Sequence, residues 1–465
     1  MAKTERIRDP IHDLIVFEEN DKLDQTAWAL LESPEFQRLR RIKQLGVSEF
    51  VYPGATHSRF SHSIGVFHNA RQLLRLIRRE IEMGRAEGEF DERRAQVAVL
   101  AALLHDLGHG PFSHAFEEAL KAISDHRAKG SKSAVKKHEI WTAEIVENKA
   151  GQIFQILSTD DGLAREIADL LRADTPTDMY QAIVSSSFDA DRLDYLRRDR
   201  YMTGTGVGAI DFGWLMDNVR VASIDVSPAG GDNADAVYRH SFCLSYKARD
   251  AAEDFLLARY RLYTNVYLHK TTRGIEQLLS TIFCGVADII DGGNPNILGL
   301  SPENPLIRFL SPGGETLENY LALDDTVVWA AIGRFRSCRD RRLAELATRL
   351  WLRAAPATID IQTEFPNDSE RQRRAQHRLD DMFKRSLGVD VFKDDAKLNL
   401  YGEIGADDAK AQQRLMIQLR NGDVREITNF TDATIAASDR GRRFLRYYFL
   451  NESDYKEARS AVEEG

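Results

Sequence analysis

The chain has 465 residues, 43% hydrophobic and 29% charged, with a net charge of −9. That length supports a large core in two or three structural units, while the acidic balance argues against a general nucleic-acid binder. No run of about 18 or more apolar residues suggests a membrane span, the polar start Met1–Arg6 does not read as a signal peptide, and the scattered Cys243, Cys284 and Cys338 give neither a disulfide framework nor a Cys-type zinc site and fit a reducing, cytoplasmic compartment.

The chain opens with Arg8-Asp9-Pro10-Ile11-His12-Asp13, an extended or turn segment, followed by a short amphipathic helix. Ser33-Pro34-Glu35 reads as a helix start, with Ser as N-cap, Pro in the first turn and an acid at the positive end. The helix Phe36–Lys43 is expected to end near Gly46, its arginines forming a solvated face or lining an anion site. An extended turn, Phe50–Ala55, precedes a helix through about Met83, with His62 at its start. Ala95–Leu104 is an apolar run that reads as a buried helix, stopped by Gly108, Gly110 and Pro111. The basic stretch Ser124–Lys137 reads as a loop, and His138-Glu139 opens the next helix. Tyr180–Tyr201 carries Asp189, Asp191, Asp194 and Asp199 with arginines between them, either a salt-bridged exposed face or a packed one following the small residues Ser185–Ser187.

Val219–Val226 and Ala236–Leu244 look like two strands around a Gly-rich turn. One long helix is expected from about Arg249 to Gly292, then a Pro/Gly/Asn-rich loop over 293–315 and more helix to about Ala355. Beyond that, Ala357–Glu364 and Lys397–Glu403 read as strands, and Leu415–Leu419 with Val424–Thr428 flank Asn421-Gly422, a strong hairpin signal.

The stretch Leu103–His114 concentrates the chemistry. His105-Asp106 sits at the tip of the buried helix, with His109 and His114 just after it. Burying such groups is costly unless each is paired or bound to metal. A satisfied polar helix end is the bland alternative, and the number of ionisable groups in one place weighs against it. Together with His62 and Asp191 they make a mixed nitrogen and oxygen set from three helices, which a bundle can converge on one point. Such a set suits Mn²⁺, Fe²⁺, Zn²⁺ or Mg²⁺ without choosing among them. The ion would polarise phosphorus and lower the pKa of a bound water.

His62, His105-Asp106 and Asp191 follow the H…HD…D pattern of the HD phosphohydrolase superfamily. The surrounding text is more specific: Asp9-Pro10-Ile11-His12, Phe36-Gln37-Arg38-Leu39-Arg40, Ile42-Lys43-Gln44-Leu45-Gly46, Pro53-Gly54-Ala55, Arg59–Val66, His105–His114 and Asp189–Tyr195. From about residue 5 to 275 the chain resembles the deoxynucleoside triphosphate triphosphohydrolases, which include the vertebrate SAM-and-HD-domain enzyme and its bacterial relatives. The resemblance implies that His62, His105, Asp106 and Asp191 ligate the metal. It implies that His109, His114 and His138 act on the phosphate ester, with Glu117 orienting His114. Arg59, Arg192 and Lys270 would neutralise the triphosphate, and Tyr195, Asp199, Tyr267, Gln44 and Leu45 would contact the sugar. Arg192 replaces the lysine of relatives, a planar fork in place of a point charge. Gln37 and Arg40 match part of a regulatory guanine-nucleotide site, where Glu32 stands for an Asp and Glu5 for a Lys.

The fold expected is mainly α: an HD-domain helical bundle over 1–355, with its core at about 57–200 and a short β-hairpin insertion, and a small α+β lobe over 356–465. The resemblance implies hydrolysis of a dNTP to deoxynucleoside and triphosphate by a homo-oligomer, a tetramer or a dimer with the tetramer favoured, and with a regulatory nucleotide as a further ligand. Two rivals are another HD phosphohydrolase acting on nucleotides or single-stranded nucleic acid, which the basic stretch at 124–137 favours slightly and the net charge disfavours, and a non-catalytic nucleotide sensor, which has no need of a full set of ligands and histidines.

Overall fold

Helices carry most of the chain, and small sheets join and cap them. The computed structural model describes residues 3–128, 135–173, 175–206, 209–225, 238–386, 390–398, 414–430 and 441–463. A hairpin of β1 (Glu5–Asp9) and β2 (Asp13–Phe17) leads into α1 (Lys22–Glu32). Then come α2 (Arg59–Glu82), α3 (Glu92–Leu104), α4 (His114–Arg127), α5 (His138–Glu147) and α6 (Ala190–Thr203). The apolar run makes α3 the central rod: every residue from Val97 to Leu104 is buried, as expected of a helix that is apolar on all sides. Asp91 caps it, its carboxylate accepting from the Arg94 amide at 3.0 Å. α2 packs against both α3 and α6, so the helices bearing His62, His105 and Asp191 are direct neighbours.

Several elements depart from their sequence expectation, each for a tertiary reason. The helix expected over Phe36–Lys43 is one α-turn, Pro34–Gln37, and one 3₁₀ turn, Arg38–Arg41. It stops because its next backbone groups are taken from outside: the Lys43 amide donates to Asp325 and the Ile42 carbonyl accepts from the Arg59 amide. The long helix of 249–292 is two, α7 (Arg249–Leu262) and α8 (Lys270–Asp291), separated by a π-turn over Tyr263–Tyr267. His269 caps α8, its Nδ1 accepting from the Thr271 amide at 3.2 Å. Within the basic stretch, α4 continues to Arg127, which pairs with Asp291 of α8 at 2.8 and 3.0 Å, while Lys129 and Lys132 lie outside the described residues. The loop of 293–315 holds a helical turn, Pro305–Leu310.

β3 (Val219–Asp225) and β4 (Tyr238–Ser245) form the antiparallel pair expected; the turn between them lies outside the described residues. α9 (Asp325–Phe335) and α10 (Arg341–Trp351) complete the helical part. β5 (Ala357–Asp360) is shorter than read from the sequence, because Asp360 accepts from the Thr363 amide and starts a helical turn. α11 (Ser369–Arg385) precedes β6 (Val391–Leu398), which starts earlier than the strand expected at 397, whose part beyond 398 is not described. The Asn421-Gly422 turn joins β7 (Met416–Gln418) to β8 (Val424–Glu426) as expected, and β9 (Arg442–Phe449) and α12 (Glu452–Glu463) follow.

The C-terminal segment divides its allegiance. β5, β9 and β6 make their own three-stranded sheet, covered by α11 and α12. β7 instead pairs in parallel with β4, extending the earlier hairpin into a sheet ordered β3-β4-β7-β8. Leu415, Ile417 and Ile427 are fully buried in the same apolar cluster as α3. All five tryptophans precede residue 356, which makes the sharing measurable. Ile417→Ala is expected to lower the stability of the tryptophan-detected urea transition by about 2–5 kcal/mol; an unmoved transition would show that 414–430 folds apart from the helices.

Candidate active site

Two of the converging helices present an imidazole whose second nitrogen is already committed. His62, one turn into α2, hydrogen-bonds through Nδ1 to Asp194 Oδ2 at 2.8 Å. Its Nε2 therefore faces Asp191 Oδ1 at 2.9 Å and Asp106 Oδ2 at 3.8 Å. His105, at the C-terminal end of α3, is held through Nδ1 by the Ala102 carbonyl at 2.9 Å. Its Nε2 is buried without a hydrogen-bond partner, 3.2 Å from Asp106 Oδ1 and 3.8 Å from Asp191 Oδ1. A buried nitrogen left unpaired is costly, and here it faces two carboxylates. Hydrogen bonds to the second nitrogen fix which one is offered as a ligand. Burial disfavours charge on His62, but Asp191 and Asp194 outweigh it and push its pKa up to about 10. The pocket thus favours positive charge, which a divalent ion supplies. His62, His105 and Asp191 bring ligand atoms within 4.8 Å of one another, and Asp106 adds an oxygen beside each imidazole, so the donor set fits such an ion.

Behind the ligands lies a buried carboxylate. Asp194 accepts from His62 Nδ1, from Arg198 at 2.7 and 2.9 Å, and pairs with His12 Nε2 at 2.6 Å. Arg198 reaches on to Asp9 at 2.8 and 3.2 Å. Burial alone would raise the Asp194 pKa; Arg198, His12 and His62 hold it well below the usual carboxylate range. Gly65 makes room for this contact between α2 and α6: a Cβ there would lie 1.9 Å from Asp194 Oδ1 and 2.5 Å from Arg198 Nη2.

A second cluster abuts the first. His109 Nε2 lies 3.4 Å from Asp106 Oδ1, and its ring stacks on His138 at 3.9 Å and 18°. Glu117, in the first turn of α4, takes His138 Nδ1 at 2.8 Å and His114 Nδ1 at 3.3 Å. Burial would raise the Glu117 pKa, yet the His114 and His138 hydrogen bonds hold it far below the carboxylate range. Burial would lower His138, yet Glu117 raises it. His109 is pushed well down by burial and then by Arg59 and His138, which favours its neutral form. These four residues also bring ligand atoms within 4.8 Å of one another. Both Glu117 oxygens are already engaged by imidazoles, an arrangement suited to holding protons.

The two arginines expected on the triphosphate have partners within the fold. Arg59 is buried, with Nη1 on Asp106 Oδ2 at 2.5 Å and Nε on Ser113 Oγ at 2.9 Å. Burial alone would raise the Asp106 pKa; Arg59, His105 and His109 hold it well below the usual range. Arg192 turns to Asp189 and the Ser186 carbonyl. Lys270 is exposed in the first turn of α8. Tyr267 leaves the π-turn to donate to Asp199 Oδ2 at 2.5 Å, and His57 Nε2 meets Asp199 Oδ1 at 2.8 Å. Tyr195 stands edge-on to Tyr267 at 6.4 Å. Gln44 donates its amide to the His57 carbonyl, and its Oε1 is buried without a hydrogen-bond partner. Leu45 is half-buried against the main core.

The regulatory-site matches are spread along the N-terminal segment. Arg40 lies over the Phe60 ring at 3.5 Å and donates to Gln37 Oε1 at 2.8 Å. Glu32 is exposed, and Glu5 sits on β1 with Lys3 at 3.8 Å. The dense aspartates of 189–199 are not a solvated face: Asp189, Asp194 and Asp199 are all buried. Asp9, His12 and Asp194 lie within motifs of the sequence that assign them no role, yet they hold His62. The four-residue spacing of Asp194 and Arg198 on one helix was the available signal.

Comparison with known proteins follows the same geography. The HD domain family matches residues 59–199. An uncharacterized protein of Bacillus subtilis, YwfO, is 28% identical over 97% of this chain and 93% of its own length. An uncharacterized protein of Mycoplasma pneumoniae is 30% identical over 73% of this chain and 75% of its own. The deoxynucleoside triphosphate triphosphohydrolase SAMHD1 homolog of Dictyostelium discoideum is 31% identical over 54% of this chain, which spans 45% of that protein. The crystal structure of a phosphohydrolase from Bacteroides thetaiotaomicron shares the fold, with a TM-score of 0.72 and 23% identity over 97% of this chain and all of that one.

The Gly65 contact yields a test of the metal-ligand geometry. Gly65→Ala forces Asp194 away from α2 and frees His62 Nδ1. The variant is expected to hold less than half the metal of the wild type by elemental analysis after loading with Mn²⁺. Full occupancy would show that His62 needs no fixed orientation to bind the ion.

Proposed function

Since the chain belongs to the HD-domain phosphohydrolase family and is related to its dNTP triphosphohydrolases, we propose that it hydrolyses a deoxynucleoside triphosphate to deoxynucleoside and triphosphate. The observation that carries this reading is the sharing of Asp106. One of its oxygens lies beside both His105 Nε2 and His109 Nε2, so a metal-capable group and a histidine–carboxylate relay meet at one reaction point.

A divalent ion held by His62, His105, Asp106 and Asp191 would supply Lewis-acid polarisation of a phosphoryl oxygen and a water of lowered pKa. The chain's own groups do the rest. Water oxygen bonds to the α-phosphorus, the bond from that phosphorus to O5′ breaks, and O5′ takes a proton. His114, with Nδ1 held by Glu117 and its ring largely exposed, presents Nε2 as the donor for that step. Glu117 accepts from Nδ1–H and stabilises the positive charge of the proton-bearing ring, which is neutral once the Nε2 proton has passed to O5′; the proton lost by the attacking water restores it. His138 shares Glu117, and His109 lies between the relay and Asp106. Arg59 and Arg192 meet the phosphates by exchanging their present partners, Asp106 and Asp189, for phosphoryl oxygens, with Lys270 as the outer cation. Tyr195, Asp199 and Tyr267 with Gln44 and Leu45 hold the sugar. Part of the chain after residue 355 completes the sheet beside the helical core, and the chain assembles as a homo-oligomer, with a tetramer favoured over a dimer. A regulatory nucleotide would sit near Gln37 and Arg40.

Purified protein with Mn²⁺ or Mg²⁺, offered dNTPs singly and mixed, NTPs and single-stranded DNA, is expected to release triphosphate from dNTPs. Inorganic phosphate, nucleotide monophosphates or no product would replace this reading with that of another HD phosphohydrolase or a nucleotide sensor. His114→Ala is expected to keep its metal while losing about 10²-fold or more in kcat; an unchanged kcat would reduce His114 to a structural role. An apolar Leu45 and the Tyr267 ring against C2′ reject an added hydroxyl by about 10²-fold. The dGTP to GTP ratio of kcat/KM should therefore fall in Leu45→Gly, and a constant ratio would remove Leu45 from sugar selection.

A further inference from the structure

The turn that launches α4 is held open from behind by a segment with no part in the ligand set. Phe112 and Ser113 both lie in the left-handed region, at φ 55° and 57°. Non-glycine residues stay there only when their surroundings over-determine them. Those surroundings come from residues 320–325. Asp325 accepts the Phe112 amide on Oδ1 at 2.8 Å and the Lys43 amide on Oδ2 at 2.9 Å. Tyr320 donates to the Gly108 carbonyl at 2.7 Å, and its ring stacks on Trp141 of α5 at 4.2 Å and 7°. Arg38 joins the Leu323 carbonyl at 2.7 Å to the Leu107 carbonyl at 3.2 Å. Asp325 and Tyr320 are both buried. Gly46 lets the partner segment close in: a Cβ there would stand 3.0 Å from the Phe112 carbonyl oxygen.

These contacts lead directly toward the reacting groups. Lys43, fixed through its amide by Asp325, accepts Ser113 Oγ on its carbonyl at 3.2 Å. Ser113 Oγ in turn accepts from Arg59, which holds Asp106. Ser113 is the N-cap position of α4, and His114 and Glu117 occupy the first turn of that helix. Gly108, Phe112 and Trp141 are each within a few residues of His109, His114 or His138.

We infer that Asp325 and Tyr320 are positioning residues: a strap that fixes the His105–His114 turn so that His109, His114 and His138 meet Glu117 and Asp106 in one arrangement. The strap lies beyond residue 300, outside the motifs that carry the family resemblance. As a statement about rate it rests on the phosphohydrolase reading above; as a statement about geometry it does not.

The test uses the full chain with Mn²⁺ for kinetics and metal-free protein for spectroscopy, with Asp325→Ala, Asp325→Asn and Tyr320→Phe, all measured well below each variant's Tm. Histidine side-chain ¹H–¹⁵N spectra are expected to show displaced His109, His114 and His138 signals in Asp325→Ala, and amide exchange at 112–114 is expected to quicken. Asp325→Asn keeps one acceptor oxygen and should restore part of both. On dNTP, kcat in Asp325→Ala should fall about 10- to 100-fold with KM near the wild-type value and metal content unchanged. Should Asp325→Ala not fold, Tyr320→Phe, which removes a single hydroxyl, carries the same readouts. Unmoved imidazole signals, or a wild-type kcat in a folded variant, overturn the strap. If the wild type hydrolyses no dNTP, the functional reading falls while the imidazole signals still decide the strap.

Discussion

A fully buried carboxylate, Asp194, sets the geometry on which the candidate centre depends. It gathers an imidazole from α2, an imidazole from the N-terminal hairpin and a guanidinium from its own helix. Each of these groups would be expensive to bury alone. Together they satisfy one another and tie three stretches of chain, otherwise remote in sequence, to the orientation of one ring. The N-terminal hairpin therefore contributes to the centre without reaching it: Asp9 and His12 act on His62 only through Arg198 and Asp194. Gly65 belongs to the same arrangement, because α2 and α6 approach closely enough for Asp194 to reach His62 only where α2 lacks a side chain.

Electrostatics gives the site a second character. The chain is net acidic, and three arginines at the cluster already have acidic partners: Arg59 on Asp106, Arg192 on Asp189, Arg198 on Asp194 and Asp9. Uncompensated positive charge is therefore scarce where a polyanion would sit. An anionic ligand has to arrive with a cation or displace carboxylates from their guanidinium partners. Either route makes occupancy of the metal-capable group and capture of phosphate one coupled event.

The mainly α fold and its helices around the centre were legible in the sequence because their signals are local. An apolar run of helical length gave α3, Ser33-Pro34 gave a helix start, and Asn421-Gly422 gave a hairpin. His62, His105, Asp106 and Asp191 were legible because their residue types and neighbours form a pattern. The elements that were not legible depend on distant partners. Nothing in Phe36–Lys43 shows that Asp325 will take the Lys43 amide, so a helix was the natural reading. Nothing in 249–292 shows the π-turn that carries Tyr267 to Asp199, because the residues there are compatible with unbroken helix. Asp325 lies in no motif of the sequence; only the fold reveals that it spans two backbone amides from different segments.

The parallel pairing of β4 with β7 has a consequence for the order in which the protein is made. β4 emerges from the ribosome with β3, but the strand that covers its other edge lies beyond α7 to α11. Until β7 is synthesised, the Leu244–Ser245 end of β4 lacks its neighbour and the adjoining apolar cluster lacks Leu415, Ile417 and Ile427. Such an edge invites pairing with other chains, and a contact between strands so far apart along the chain forms late. The nascent chain thus passes through a stage in which most of its candidate centre has been translated while one flank of its sheet stays sticky. That is the interval in which a chaperone, or a neighbouring copy on the same message, has its strongest purchase.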